Sequence, residues 1–258
     1  MNLAIARHQT DLWLAFPNEI RDAALLGRYW ELLNDAEKAQ QKRFYFEKDR
    51  HRYLVTRALV RTVLSRYAPV EPAHWTFEPN AWGRPRISNA ALALSFNISH
   101  TDDLVVCAVT GPREIGVDVE NILRRQPTTV DIAKGFFSPC ECDELFTQAP
   151  ENRQARFFYY WTLKEAYIKA RGMGLSLPLD RFSYAFPGAD GISLSIEPDL
   201  EDDPGRWYCW LLQPTPAHLL ALCVERMPAS NEAPRTRKVV PLLCETPLSC
   251  PALRRSRP

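Results

Sequence analysis

The stretch Gly-Val-Asp-Val-Glu at residues 116–120 sets two carboxylates two positions apart in a run of strand-forming residues. Side chains alternate across a strand, so Asp118 and Glu120 share one face while Val117 and Val119 share the other. Neighbouring carboxylates repel unless a cation sits between them. A hard divalent ion such as Mg²⁺ takes one or two carboxylates and completes its shell with phosphate oxygens. Further along, Trp-Thr-Leu-Lys-Glu-Ala-Tyr-Ile-Lys at 161–169 reads as helix. Residues four apart stack on one helix face, which puts Trp161, Glu165 and Lys169 on a single stripe with Lys164 beside it. Phe-Asn-Ile-Ser-His at 96–100 ends on His100, whose ring N–H could meet a phosphate with help from Asn97 or Ser99. Arg50, His51 and Arg52 cluster at a helix start, where cations oppose the dipole and an anionic partner would account for them. Arg84 and Arg86 flank Pro85 just after Gly83, a turn that leaves anion binding open. Taken singly, each stretch also has an ordinary reading: an acidic wet strand face, an exposed Glu–Lys pair, a turn histidine, a solvated charge run. Together they form an inventory for a divalent metal and phosphates.

The elements that must position these residues follow from periodicity and caps. A helix is predicted over 34–44, opened by Asn34 and Glu37 in capping-box spacing. A stronger helix covers 47–67, where Val55, Leu59, Val63 and Tyr67 recur every four residues, Leu54, Ala58 and Leu64 widen the stripe, and Pro69 and Pro72 end it. Strands are predicted from Trp75 and from Leu92, the second pairing with 104–110 across a polar turn, and a short strand carries residues 115–120. Helices resume at 129–136. Ser138-Pro139-Cys140-Glu141 opens another, and a long helix over 152–171 ends at Gly172. Strands follow near 182–186, 192–196, 207–212 and 219–224. A long helix followed by strands thus occurs twice, which suggests two α+β halves, 1–112 and 113–227. Beyond Pro228 prolines recur among basic residues, and 228–258 is expected to be an irregular appendage outside the core.

Composition bounds the rest. The 258 residues, 46% hydrophobic and 24% charged, are those of a soluble globular protein with a real core. A net charge of +1 gives no case for general binding to nucleic acid or a membrane surface. The seven cysteines are scattered, and Cys140-Glu141-Cys142 lacks the spacing of a zinc or redox site, so a reduced, cytoplasmic chain is expected. No secretory signal or membrane-spanning run is evident.

In their order along the chain these motifs resemble the 4′-phosphopantetheinyl transferases of the surfactin-synthetase-activating (Sfp) type. The family's G-[VI]-D-[VIL]-E, F-[FS]-x-x-E and W-x-x-K-E-[AS]-x-x-K segments read here as GVDVE at Gly116, FFSPCE at Phe136 and WTLKEAYIK at Trp161. Upstream, FNISH stands at Phe96, and the family's basic helix is matched by Arg43-Phe44, Asp49 and Arg52. The resemblance spans residues 35–225 and implies a pseudo-twofold monomer of two similar α+β halves with the site between them. It implies coenzyme A as donor, Mg²⁺ as cofactor and a serine of an apo acyl or peptidyl carrier protein as acceptor, with adenosine 3′,5′-bisphosphate released. Nucleic acid and membrane are not among the implied partners. By the same resemblance Asp118, Glu120 and Glu165 would hold the metal, and Glu165 would also be the general base. Lys169 would meet the pyrophosphate and offset the charge of the leaving group. Arg52, Gly83, Arg84, Ser99, His100 and Lys164 would be among the coenzyme A contacts. Glu141 is also grouped with the family's acids, but here it fits a capping box and ranks below the other three. The match weakens at the 3′-phosphate, where Lys38 or Lys42 could serve, and at Tyr53, where some relatives carry a small hydroxyl residue. Two other classes stay open: a non-catalytic binder of coenzyme A or carrier, and a Mg²⁺-dependent nucleotide phosphatase. The preferred carrier, from fatty-acid, polyketide or peptide synthesis, also stays open.

Overall fold

The computed structural model describes residues 3, 5–89, 93–123, 129–227 and 232–257. The predicted strand start at Leu92 and the first residues of the tail, 228–231, lie outside them. Two units divide the chain: Met1–Asn80, Pro85–Pro112 and Glu232–Leu248 in the first, Ala81–Arg84, Arg113–Asn231 and Ser249–Pro258 in the second.

The first unit holds strands β1 (Thr10–Ala15), β2 (Phe77–Pro79), β3 (Pro85–Ile87), β4 (Ser95–Thr101) and β5 (Leu104–Thr110) and helices α1 (Ala23–Leu32), α2 (Asp35–Arg43) and α3 (Glu47–Leu64). The predicted stripe of α3 is buried at Val55, Leu59 and Val63 and packs with Trp13, Trp75, Phe96, Val105 and Cys107. Each large apolar side chain so buried is worth about 1.5–3 kcal/mol. The capping box at Asn34 and Glu37 forms as predicted, and the same Glu37 carboxylate accepts from Arg57 and from the fully buried Arg61. β1 was not predicted. All six of its residues are buried, so it shows no alternation of polar and apolar positions.

The second unit holds β6 (Ile115–Asn121), β7 (Phe182–Ala185), β8 (Gly191–Ile196), β9 (Trp207–Thr215) and β10 (His218–Glu225) with α4 (Thr129–Phe136), α5 (Pro139–Thr147) and α6 (Pro150–Arg171). α6 ends where predicted, with Gly172 in the left-handed conformation at φ 66°. Its core face, Phe157, Tyr160, Leu163 and Tyr167, packs with Trp207, Leu211, Leu219, Ala221 and Cys223. Both units are thus α+β, as expected. The seven cysteines carry free thiols, and Cys107, Cys209 and Cys223 are buried. Among the described residues no helix is long and apolar enough to cross a membrane.

The tail corrects the sequence reading. It forms β11 (Arg235–Val240), β12 (Cys244–Pro247) and β13 (Ala252–Ser256). β11 pairs in parallel with β1, giving the order β12-β11-β1-β5-β4, and β13 enters the second sheet, ordered β6-β10-β9-β13-β8-β7. Val239 joins the first core, and the Arg235 guanidinium donates to buried Asp11. The prolines did not exclude strands because they sit at strand borders: Pro234 and Pro241 flank β11, Pro247 ends β12 and Pro251 precedes β13.

Candidate active site

Gly116, Asp118 and Glu120 occupy one face of β6, and that face is turned to α6. A Cβ at Gly116 would fall inside the envelopes of the Ala166 carbonyl and the Ala170 amide. Strand and helix backbones therefore approach here as only glycine allows. The acidic face is consequently not wet, which overturns the ordinary reading of that strand. Asp118 is only 4% exposed. β10 secures β6 from the side, pairing Cys223, Ala221 and Leu219 with Gly116, Asp118 and Glu120.

The stripe on α6 meets these carboxylates in order. Trp161 Nε1 donates to Glu120 Oε1 at 3.2 Å, its ring stacked on Phe157 at 5.9 Å. The Lys169 ammonium donates to Asp118 Oδ1 at 2.6 Å. Glu165 lies between them along the helix. Burial pushes the Glu120 carboxyl up to about 7, reinforced by the charges of Asp118 and Glu165 and opposed by Trp161 and Lys169. Burial and the Asp118 charge likewise raise Glu165, against the pull of Lys169. Three acids thus lie in electrostatic reach of one another, with the Lys169 ammonium beside them.

The donor chemistry of this wall suits Mg²⁺, since all three side chains offer hard oxygens. Among the described residues no group of three or more His, Cys, Asp or Glu side chains stands arranged to hold a metal ion. The Lys169 ammonium is a countercharge on Asp118.

Lys164 is a correction. It was expected among the coenzyme A contacts, but its side chain is 0% exposed and faces away from the stripe into the unit. Its ammonium donates to the Leu179 and Phe182 carbonyls at 2.7 and 2.6 Å and pairs with Glu141 Oε2 at 2.7 Å. Every N–H it has is used, so none can reach a ligand. Glu141 forms the predicted capping box, accepting from the Ser138 amide and hydroxyl, and its other oxygen accepts from the Tyr184 amide.

The remaining predicted residues divide between the units. Gly83 adopts φ +86°, with open space where a Cβ would stand. Arg84 is pinned beside the wall, donating to Glu114 and to the carbonyls of Ala170 and Ile115. In the first unit, Arg52 donates to Asp49 at 2.8 Å and reaches Asp102 at 4.0 Å. Ser99 is buried on β4, whereas His100 is exposed on the opposite face. Sequence reasoning missed the part played by Gly116, although a glycine inside a strand pattern is a signal of close backbone approach.

Residues 114–223 match the profile of the 4′-phosphopantetheinyl transferase superfamily, and 23–111 match that of the 4′-phosphopantetheinyl transferase N-terminal region. The 4′-phosphopantetheinyl transferase Sfp of Bacillus subtilis is 34% identical over 76% of this chain and 84% of its own length. The chain belongs to the 4′-phosphopantetheinyl transferase superfamily. A second Bacillus subtilis 4′-phosphopantetheinyl transferase is 39% identical over 62% of this chain and 70% of its own length. The 4′-phosphopantetheinyl transferase HetI of a Nostoc species is 35% identical over 76% and 82% respectively. The wall formed by β6 and α6 lies within the superfamily match, and this transferase-family chain is an enzyme of that type.

Proposed function

We propose that the enzyme transfers the 4′-phosphopantetheine group of coenzyme A to a serine hydroxyl of an apo acyl or peptidyl carrier protein. The observation that carries the reading is the meeting of Asp118, Glu120, Glu165 and Lys169 on one wall in a chain of this family. In this reaction the serine oxygen bonds to the β-phosphorus, the bond from that phosphorus to the bridging oxygen breaks, and adenosine 3′,5′-bisphosphate leaves with the electron pair. Asp118, Glu120 and Glu165 are the side chains that would hold Mg²⁺, which when bound supplies positive charge against the pyrophosphate. Glu165 takes the serine proton, directly or through water, a task suited to a carboxylate whose proton affinity burial has raised. Lys169 turns from Asp118 toward the pyrophosphate and offsets the charge of the leaving group. Arg52, Ser99 and His100, with Gly83 and Arg84, contact coenzyme A. Arg84 acts here mainly as a brace on α6 and β6, because the Glu114, Ala170 and Ile115 acceptors already occupy its guanidinium. The enzyme works as a cytoplasmic monomer.

Mass spectrometry of an apo carrier incubated with the enzyme, coenzyme A and Mg²⁺ tests this. A gain of one phosphopantetheine is expected. A binder would leave the carrier unchanged, and a phosphatase would consume coenzyme A without altering the carrier. An unchanged mass across fatty-acid, polyketide and peptide-synthetase carriers overturns the proposal. The relative kcat/KM values across the same panel identify the preferred carrier.

A further inference from the structure

We infer that the buried Glu141–Lys164 ion pair is a positioning device for the transfer reaction: it sets the rotation of α6, and so holds Glu165 and Lys169 against Asp118. The inference rests on the proposed transferase reading. It gives Glu141 a part without placing it among the metal ligands, and gives Lys164 one without placing it on coenzyme A.

Both side chains are 0% exposed. Lys164 ties α6 to the Leu179 and Phe182 carbonyls at the entry to β7, and its ammonium lies 4.3 Å from the Phe182 ring centroid. Glu141 ties the same ammonium to the first turn of α5 through Ser138, and to β7 through the Tyr184 amide. One charge pair therefore fastens α6 to two other elements. Lys164 and Glu165 are consecutive on a helix, about 100° apart. Locking Lys164 inward thus determines where Glu165 points. On the opposite side the helix backbone rests against Gly116 with no space to spare. A rotation of α6 by about 20° would move a side-chain tip ~5–6 Å from the axis by about 2 Å. Misplacement by about 1 Å costs on the order of 10²-fold in rate. Stability alone does not call for this arrangement, because well-packed apolar residues of similar volume often replace a buried ion pair without loss. An apolar pair would leave the helix rotation less sharply defined.

The test uses the full chain carrying Glu141→Leu with Lys164→Met, and separately Glu141→Gln, each with and without Lys169→Ala. Single-turnover transfer at saturating coenzyme A, melting temperature, the coenzyme A-induced thermal shift and the Lys169 side-chain NMR signal in the free protein are recorded. The apolar double variant is expected to fold, to keep most of its coenzyme A-induced shift, and to lose at least about tenfold in rate. Adding Lys169→Ala to it should cost much less than in the wild type, since positioning and positioned groups couple. The Lys169 signal should also report a loosened Asp118 contact. A folded variant with wild-type rate and unchanged Lys169 signal, or losses that multiply independently, overturns the inference. If the double variant does not fold, Glu141→Gln decides by the same criteria, since it removes the charge and keeps the shape. Should the wild type itself fail to transfer, the functional reading fails, and the Lys169 signal still decides whether the pair positions the lysine.

Discussion

Asp118, Glu120, Glu165 and Lys169 separate a catalytic wall from a solvated helix face by how they respond to substitution. An exposed Glu–Lys pair costs at most about 1 kcal/mol of stability when broken and nothing in rate. At this wall we expect Lys169→Ala to lose on the order of 10²-fold in single-turnover transfer. Glu165→Gln should fall further, because in the proposed reaction Glu165 is both the proton acceptor and a metal donor. Asp118→Ala should abolish transfer by a protein that still folds. Wild-type rates in folded variants would place the chemistry elsewhere. Gly116 makes a different demand. Alanine there forces β6 and α6 apart, so Gly116→Ala should cost about 1–3 kcal/mol in stability and also reduce transfer, as read by denaturant unfolding alongside the mass assay.

At the scale of elements the decisive one is α6, and its C-terminal end is held by Asp202. That carboxylate accepts from the Tyr167 hydroxyl at 2.7 Å, the Trp207 indole at 2.7 Å and the Arg171 guanidinium at 2.8 Å. Burial alone would raise its proton affinity, but the hydrogen bonds from Tyr167 and Trp207 and the Arg171 charge outweigh it and hold Asp202 below the ordinary 3.8. A depressed native pKa means that this stabilisation is fully present above the unfolded value and is lost as pH falls through the folded one. Acid unfolding should accordingly steepen below about pH 4. Asp202→Asn should lower stability near neutrality and flatten that acid limb, which melting temperatures across pH 2–7 would reveal. Equal acid dependence in both proteins would mean that the end of α6 is held by packing instead.

For the whole molecule, the C-terminal tail matters more than its composition suggests. Ending the chain at residue 231 removes β11, β12 and β13, and so strips β1 and β9 of strand partners. It also takes Val239 from the first core and Arg235 from Asp11. Apolar burial at Val239 alone is worth about 1.5 kcal/mol or more. With the lost pairing, the truncated chain should melt roughly 10 °C lower and aggregate through its bared edges. A truncated protein with unaltered melting temperature would show that the tail strands contribute nothing to either sheet.

Features governed by local spacing were legible along the chain. The two-residue period of β6 set Asp118 beside Glu120, and the helical period set Trp161, Glu165 and Lys169 on one stripe. The caps at Asn34, Ser138 and Gly172 marked helix ends, and the alternation of helices and strands announced two α+β halves. The direction in which charged residues face came instead from packing between elements. Lys164 lies beside Glu165 in the chain, yet its direction depends on acceptors at Glu141, Leu179 and Phe182 brought in by other elements. The strand status of the tail likewise depends on pairing with β1 more than two hundred residues away, and the burial of Asp118 on a helix laid over Gly116. Periodicity reports a residue's own element, whereas burial and pairing are properties of what packs against it.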